Sequence, residues 1–221
     1  VGNAYTGNDT FNGNPITDVS TIVGSVLTPA TPINGGPVPT LNTTTGVVSV
    51  PAGTPAGQYT IAYRICDAAN PDDCDDALIT VTVDAPVIDA VDDPMGPVNG
   101  VTGNPNVGNA LDNDTLNGQP VTIDQVNLTV TVPATSINGG PVPSIDPATG
   151  VVSVPPGTPA GPYTITYQIC EKLNPDNCDT AVVTVTVDAA PIDAVDDPMG
   201  PVNGVTGNPN VGNALDNDTL N

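Results

Sequence analysis

The 221-residue chain carries 24 acidic side chains against two basic ones, and its net charge of -22 repels the phosphates of nucleic acid. With no His, one Lys (Lys172) and one Arg (Arg64), it lacks an ordinary general base and a cationic clamp for an oxyanion, which argues against an enzyme. A carboxylate pair of the glycosidase kind would still need a deep cleft lined with aromatics, and aromatics make up 3% of the chain.

Tandem repetition organises the sequence. The opening "VGNAYTGNDTFNG" from Val1 matches "VGNALDNDTLNG" from Val107 with one extra residue. "INGGPVP" at Ile33 returns at Ile137, and "GVVSVP" at Gly46 returns at Gly150. The block from Ile88 to Asn117 recurs letter for letter from Ile192 to Asn221, a shift of 104 residues. This periodicity predicts an Ig-like repeat lacking its first strand over residues 1–86, a complete repeat over 87–190 and the opening of a third over 191–221. The chain thus reads as a window on a longer array.

Within the complete repeat, strands are expected near Ile88–Val91, near Val107–Leu111 and within Val121–Val132. "SIDPATGVVSV" reads as a hairpin turning at Ala148-Thr149-Gly150 into a strand over Val151–Val154. Tyr163, Ile165, Tyr167 and Ile169 alternate onto one face of a strand from Tyr163 to Cys170, and Ala181–Val187 alternates in the same way. No helical periodicity competes. The 26 Pro and 23 Gly punctuate apolar strands rather than forming low-complexity tracts. About seven short strands per repeat, with a Tyr opening the penultimate one, predict an all-β chain of tandem immunoglobulin-like β-sandwich repeats.

The four cysteines form two C-x7-C pairs, Cys66 with Cys74 and Cys170 with Cys178, around an "NPD" turn between the last two strands. Cross-strand disulfides are the expected use, and they imply an oxidising, extracytoplasmic setting. Closing such a loop contributes about 2.5 kcal/mol on the chain-entropy argument.

Apart from Glu171, every acid is Asp, and the acids cluster. Asp89, Asp92 and Asp93 lie at a repeat boundary and return as Asp193, Asp196 and Asp197; Asp112 and Asp114 return as Asp216 and Asp218; Asp176 lies at a hairpin tip. In an Ig-like sandwich these loops sit at one end, so the acids are expected to converge on the repeat junctions. Carboxylate and amide oxygens without His or Cys are the ligands calcium prefers. The same residues also favour turns for backbone reasons alone.

The composite pattern "TPAG-Y-I-Y-ICD/E--NPD-CD-A---VTV" at Thr54–Val81 and Thr158–Val185, with "AVDD" and "DNDTLNG", resembles the Ig-like or cadherin-like tandem repeats of giant Bacteroidota surface adhesins. That resemblance implies type IX export, an extracellular place on the bacterial cell surface, and a structural stalk whose partners are neighbouring repeats and an external surface. It also draws attention to "DTL" and "DTA", similar to a Bacteroidota O-glycosylation acceptor, at Thr115, Thr180 and Thr219. Two other functions are consistent with the residues: a glycan-binding module, and a filament in which the terminal segment of one chain completes the first repeat of the next. No segment reads as inserting into a membrane.

Overall fold

The computed structural model describes residues 2–220. Its first repeat contains β1 (Gly2–Asn3), β2 (Thr10–Phe11), β3 (Asn14–Pro15), β4 (Ile22–Thr28), β5 (Thr40–Leu41), β6 (Val47–Ser49), β7 (Gly57–Asp67) and β8 (Cys74–Val83). The second contains β9 (Ile88–Asp89), β10 (Asp93–Asn99), β11 (Asn104–Asn109), β12 (Thr115–Leu116), β13 (Gln119–Pro120), β14 (Val126–Val132), β15 (Ser144–Ile145), β16 (Val151–Val154), β17 (Gly161–Glu171) and β18 (Cys178–Asp188). β19 (Ile192–Asp193) and β20 (Thr219–Leu220) form a two-stranded pair in the third segment. Helix is confined to single turns such as Ala4–Gly7, and the chain is an all-β sandwich protein.

The chain divides into two compact units. One holds the residues up to Asp89 with Thr115–Asn127 and Cys170–Asp179; the other holds Ala90–Asp114, Leu128–Ile169 and the chain from Thr180 onward.

In the first repeat, β4, β7 and β8 form an antiparallel sheet, β1, β6 and β5 form a second, and β2 pairs with β3. The second repeat keeps the same plan with one more strand in each of two places. Its main sheet runs β10-β18-β17-β14, and β9 is added beside β12 to give β13-β12-β9.

Local chemistry accounts for these elements. On β17 the side chains of Tyr163, Ile165, Tyr167 and Ile169 are buried while Thr164 between them is exposed, which is the period-two alternation read from the sequence. Burying Ile165 and Ile169 contributes about 2 kcal/mol each. The β2–β3 and β12–β13 hairpins turn on Asn12-Gly13 and Asn117-Gly118, all four at positive φ, the two-residue turn that matches strand twist. Tyr59 Oη donates to the Pro55 carbonyl and Tyr163 Oη to that of Pro159, both at 2.8 Å. Each pins the loop before its strand, as a tyrosine corner does in Ig-like sandwiches.

Strand boundaries depart from the sequence reading at one important point. The first strand expected near Ile88–Val91 stops at Asp89, and the next, β10, runs through Asp-Pro-Met-Gly-Pro-Val-Asn. β10 pairs in parallel with β18, with a register shift between Met95 and Val98. Two prolines hid this strand; they are tolerated because it lies at a sheet edge and breaks register beside Pro97. The second expected strand is likewise displaced, to Asn104–Asn109.

Candidate functional site

Disulfides join Cys66 to Cys74 and Cys170 to Cys178, as the spacing predicts. The first clamps a register pair of β7 and β8. Such bridges belong to oxidising compartments.

Within the second unit, the acids gather around Tyr167. Its hydroxyl, on the fully buried face of β17, has five oxygens within hydrogen-bonding reach. These are the Ala110 carbonyl at 2.7 Å, both Asp114 carboxylate oxygens at 3.1 Å, Asp93 Oδ2 at 3.2 Å and the Val91 carbonyl at 3.4 Å. One phenol proton serves only one of them at a time. Asp114, 0% exposed, also accepts from the Val91 amide at 2.8 Å.

Electrostatics follow from this crowding. Burial first, opposed by the hydrogen bond from Tyr167 and reinforced by the charges of Asp114, Asp112 and Asp92, pushes the Asp93 carboxyl up to about 7. Near neutrality Asp93 therefore carries a proton in a large share of molecules, and it can donate to the phenol oxygen. The Tyr167 phenol is itself driven far up, by burial and then by the two carboxylates. The group locks three pieces of chain together: the lead into β10, the loop after β11, and β17. Asp92 and Asn113 extend the lock, Asp92 Oδ1 accepting from the Val182 amide at 2.8 Å and Asn113 Nδ2 donating to the Asp92 carbonyl at 3.3 Å.

The copies are partial. In the first repeat Tyr63 Oη donates to Asp9 Oδ2 at 2.7 Å, and burial followed by the hydrogen bond with Asp9 raises the phenol. In the third segment the Val195 amide donates to Asp218 Oδ1 at 2.8 Å and Asn217 Nδ2 to the Asp196 carbonyl at 3.4 Å. Asp193, Asp196 and Asp216 are exposed there, and Asp197 and Asp218 are half-buried.

Does this arrangement suit calcium? The donor chemistry is right, all oxygen and no imidazole, but the ion takes six to eight oxygens. Asp114 and Asp93 are engaged with Tyr167, Asp92 with the β18 backbone, and Asp112 is exposed. Asp89 on β9 and Asp176 at the hairpin tip, both in the first unit, are exposed. Among the described residues no three His, Cys, Asp or Glu side chains are placed to hold one metal ion. The buried acids therefore do not fit as a calcium cage; they are a hydrogen-bonded lock.

Other expected site residues fall as follows. Thr115 is half-buried within β12, paired with Asp89 and Pro120, rather than in a loop. Thr180 on β18 and Thr219 on β20 are exposed. All five tyrosines are buried, between 0% and 3% exposed, so their rings are withdrawn from any sugar.

Sequence reasoning missed a second cluster, in the first unit. Glu171, 5% exposed, accepts from Asn174 Nδ2 at 2.7 Å and Asn177 Nδ2 at 3.1 Å. Asn177 Nδ2 also donates to the Pro86 carbonyl at 2.8 Å, and Asn174 Oδ1 accepts from the Ala56 amide at 2.6 Å. The available signal was the lone Glu, standing where the first repeat has a half-buried Asp67.

No family model matches the chain, and no curated protein does. Solved structures similar to it include the human desmocollin-1 ectodomain (16% identity, TM-score 0.36, covering 76% of this chain and 33% of that one). Cadherin domains 3–6 of protocadherin gamma B2 match at 14% identity and TM-score 0.36, over 76% and 42% of the two chains. Mouse cadherin-23 EC22-24 matches at 12% identity and TM-score 0.33, over 76% and 53%. The chain thus spans a third to about half of the length of these structures. Among the described residues no helix is long and apolar enough to cross a membrane.

Proposed function

We propose that the chain is a stalk segment of a large extracellular bacterial adhesin, of the Bacteroidota type IX-exported kind, and that its task is mechanical: to set reach and stiffness for adhesive surfaces carried elsewhere. The observation that carries this reading is the place of the second-repeat hairpin tip. Residues Cys170–Asp179 belong to the first compact unit, held through Asn174 to Ala56 and through Asn177 to Pro86. A module that sends its tip into the neighbouring module resists bending there, whereas beads joined only by a linker do not. Repeat boundaries at residues 86 and 190 are part of the proposal. So is calcium, taken by carboxylate-rich boundary segments as an additional stiffener, with the Asp93–Asp114 pair excluded as its cage. The competing glycan-binding role draws no support from the buried tyrosines.

The test is to replace Asn174 and Asn177 together by Ala. The folded modules should persist, while small-angle scattering should show a wider spread of end-to-end dimensions and exchange of the Ala56 amide should quicken. A scattering profile unchanged by the double substitution would remove the mechanical basis of the reading.

A further inference from the structure

Arg64 and Lys172 are the two basic residues among 221, so a protease that cuts after Lys or Arg meets two bonds, Arg64–Ile65 and Lys172–Leu173. The fold treats them in opposite ways. Arg64 lies inside β7, paired with Ser25 of β4 on one side and with Asp76 of β8 on the other. Its guanidinium forks onto the Asp76 carboxylate, with Nε at 2.6 Å and Nη2 at 2.9 Å. A protease of the trypsin class reads its substrate as an extended strand laid against its own edge, and a strand with both edges occupied offers none.

Lys172 stands just past the end of β17, in the tip that leads to β18. It is exposed and belongs to no strand. Its amide donates to the Gln125 carbonyl at 2.9 Å and its ammonium to that of Ile123 at 2.7 Å. A local opening of the tip breaks these few bonds, whereas reaching Arg64–Ile65 requires a three-stranded sheet to part. The bond after Lys172 also lies inside the ring closed by Cys170 and Cys178. The matching ring of the first repeat has Ala68 in the place of Lys172 and holds no such bond.

We propose that Lys172–Leu173 is a processing site for a trypsin-like serine protease, and that cutting there unlocks the tip without dividing the chain. The protease serine takes the Lys172 acyl group, the Leu173 nitrogen leaves with a proton as a new amine, and one water releases Lys172 as a carboxylate. The two new ends stay joined through Cys170 and Cys178. Asn174, now one residue from a chain end, loses the restraint that keeps its Oδ1 on the Ala56 amide and its Nδ2 on Glu171. Resting on the mechanical reading above, the cut turns a clamp into a loose tether while the covalent chain remains whole.

The test is to digest the folded 221-residue chain with trypsin and weigh it before and after reduction. Unreduced, it should keep its full mass plus one water; reduced, it should give two pieces, 1–172 and 173–221. Lys172→Gln should stay in one piece under both conditions, and Cys170→Ser with Cys178→Ser should fall into the same two pieces without reduction. In the wild type, exchange of the Ala56 amide should quicken on cutting. Pieces released from unreduced wild type, a cut after Arg64, or a folded chain left whole by trypsin that fully digests the heat-unfolded one would each overturn the proposal. So would an Ala56 amide whose exchange the cut leaves unchanged. Because the cut is weighed directly, its failure is distinct from failure of the mechanical reading, which the Asn174 and Asn177 substitutions test on the uncut chain.

Discussion

At the scale of single residues, Asp93 is where fold and chemistry pull apart. Its neighbours hold it against Tyr167 by a hydrogen bond that any acceptor of the same shape would make, while burial penalises its charge. The ordinary carboxyl value is 3.8 and the folded value about 7. Between those two, the unfolded chain has released the proton and the folded chain still holds it. The contribution of Asp93 to stability is therefore full below the unfolded value, falls as pH rises through the window, and is lowest above about 7. Asp93→Asn keeps an acceptor for Tyr167 and removes the titration. In chelator, the variant should melt above wild type at about pH 8 and approach it in acid, the gap closing across that window. Equal melting curves throughout would mean that the carboxylate is hydrated in the folded state. None of this was legible in the sequence, where Asp93 and Asp92 are adjacent, identical letters. Only the strand start at Asp93 turns one toward Tyr167 and leaves the other exposed on the β18 backbone.

Among elements, the last hairpin of each repeat was the most legible and β10 the least. Long alternating runs such as Tyr163–Cys170 carry their own face assignment, and the Cys spacing fixes their pairing across a short turn. β10 carries no such signal, because its Pro and Gly residues are permitted only by a parallel edge position that the sequence does not display. Nor did it show that Asp112 and Asp114, two residues apart in one loop, would lie exposed and fully buried respectively. The hairpin offers a quantitative check. The Cys170–Cys178 bridge closes a loop of separation 8, and replacing both cysteines by Ser should lower stability by about 2.5 kcal/mol on the chain-entropy argument. Denaturant midpoints measured on both oxidised and substituted protein give that number directly. An unchanged midpoint would show that β17 and β18 hold the turn closed without it.

For the whole molecule, the question is what a charge of -22 with two basic residues does to an array. Arg64 is paired with Asp76 at 2.6 Å and Lys172 donates to the Ile123 carbonyl at 2.7 Å, so both cations are already in use. Repulsion between boundary acids is screened beyond about 8 Å at physiological salt, which leaves only close neighbours to be neutralised. Calcium as a stiffener makes a specific forecast from this. Chelation should lower the melting temperature and widen the distribution of dimensions in solution scattering, and added calcium should reverse both. Magnesium, smaller and reluctant to lose water, should reverse them poorly. The Asn174 and Asn177 contacts contain no carboxylate that faces solvent, since their acidic partner Glu171 is buried, so they should survive chelation. If the melting and scattering curves coincide with and without chelator, the boundary aspartates are turn formers, and the stiffness proposed above would have to rest on those amide contacts alone.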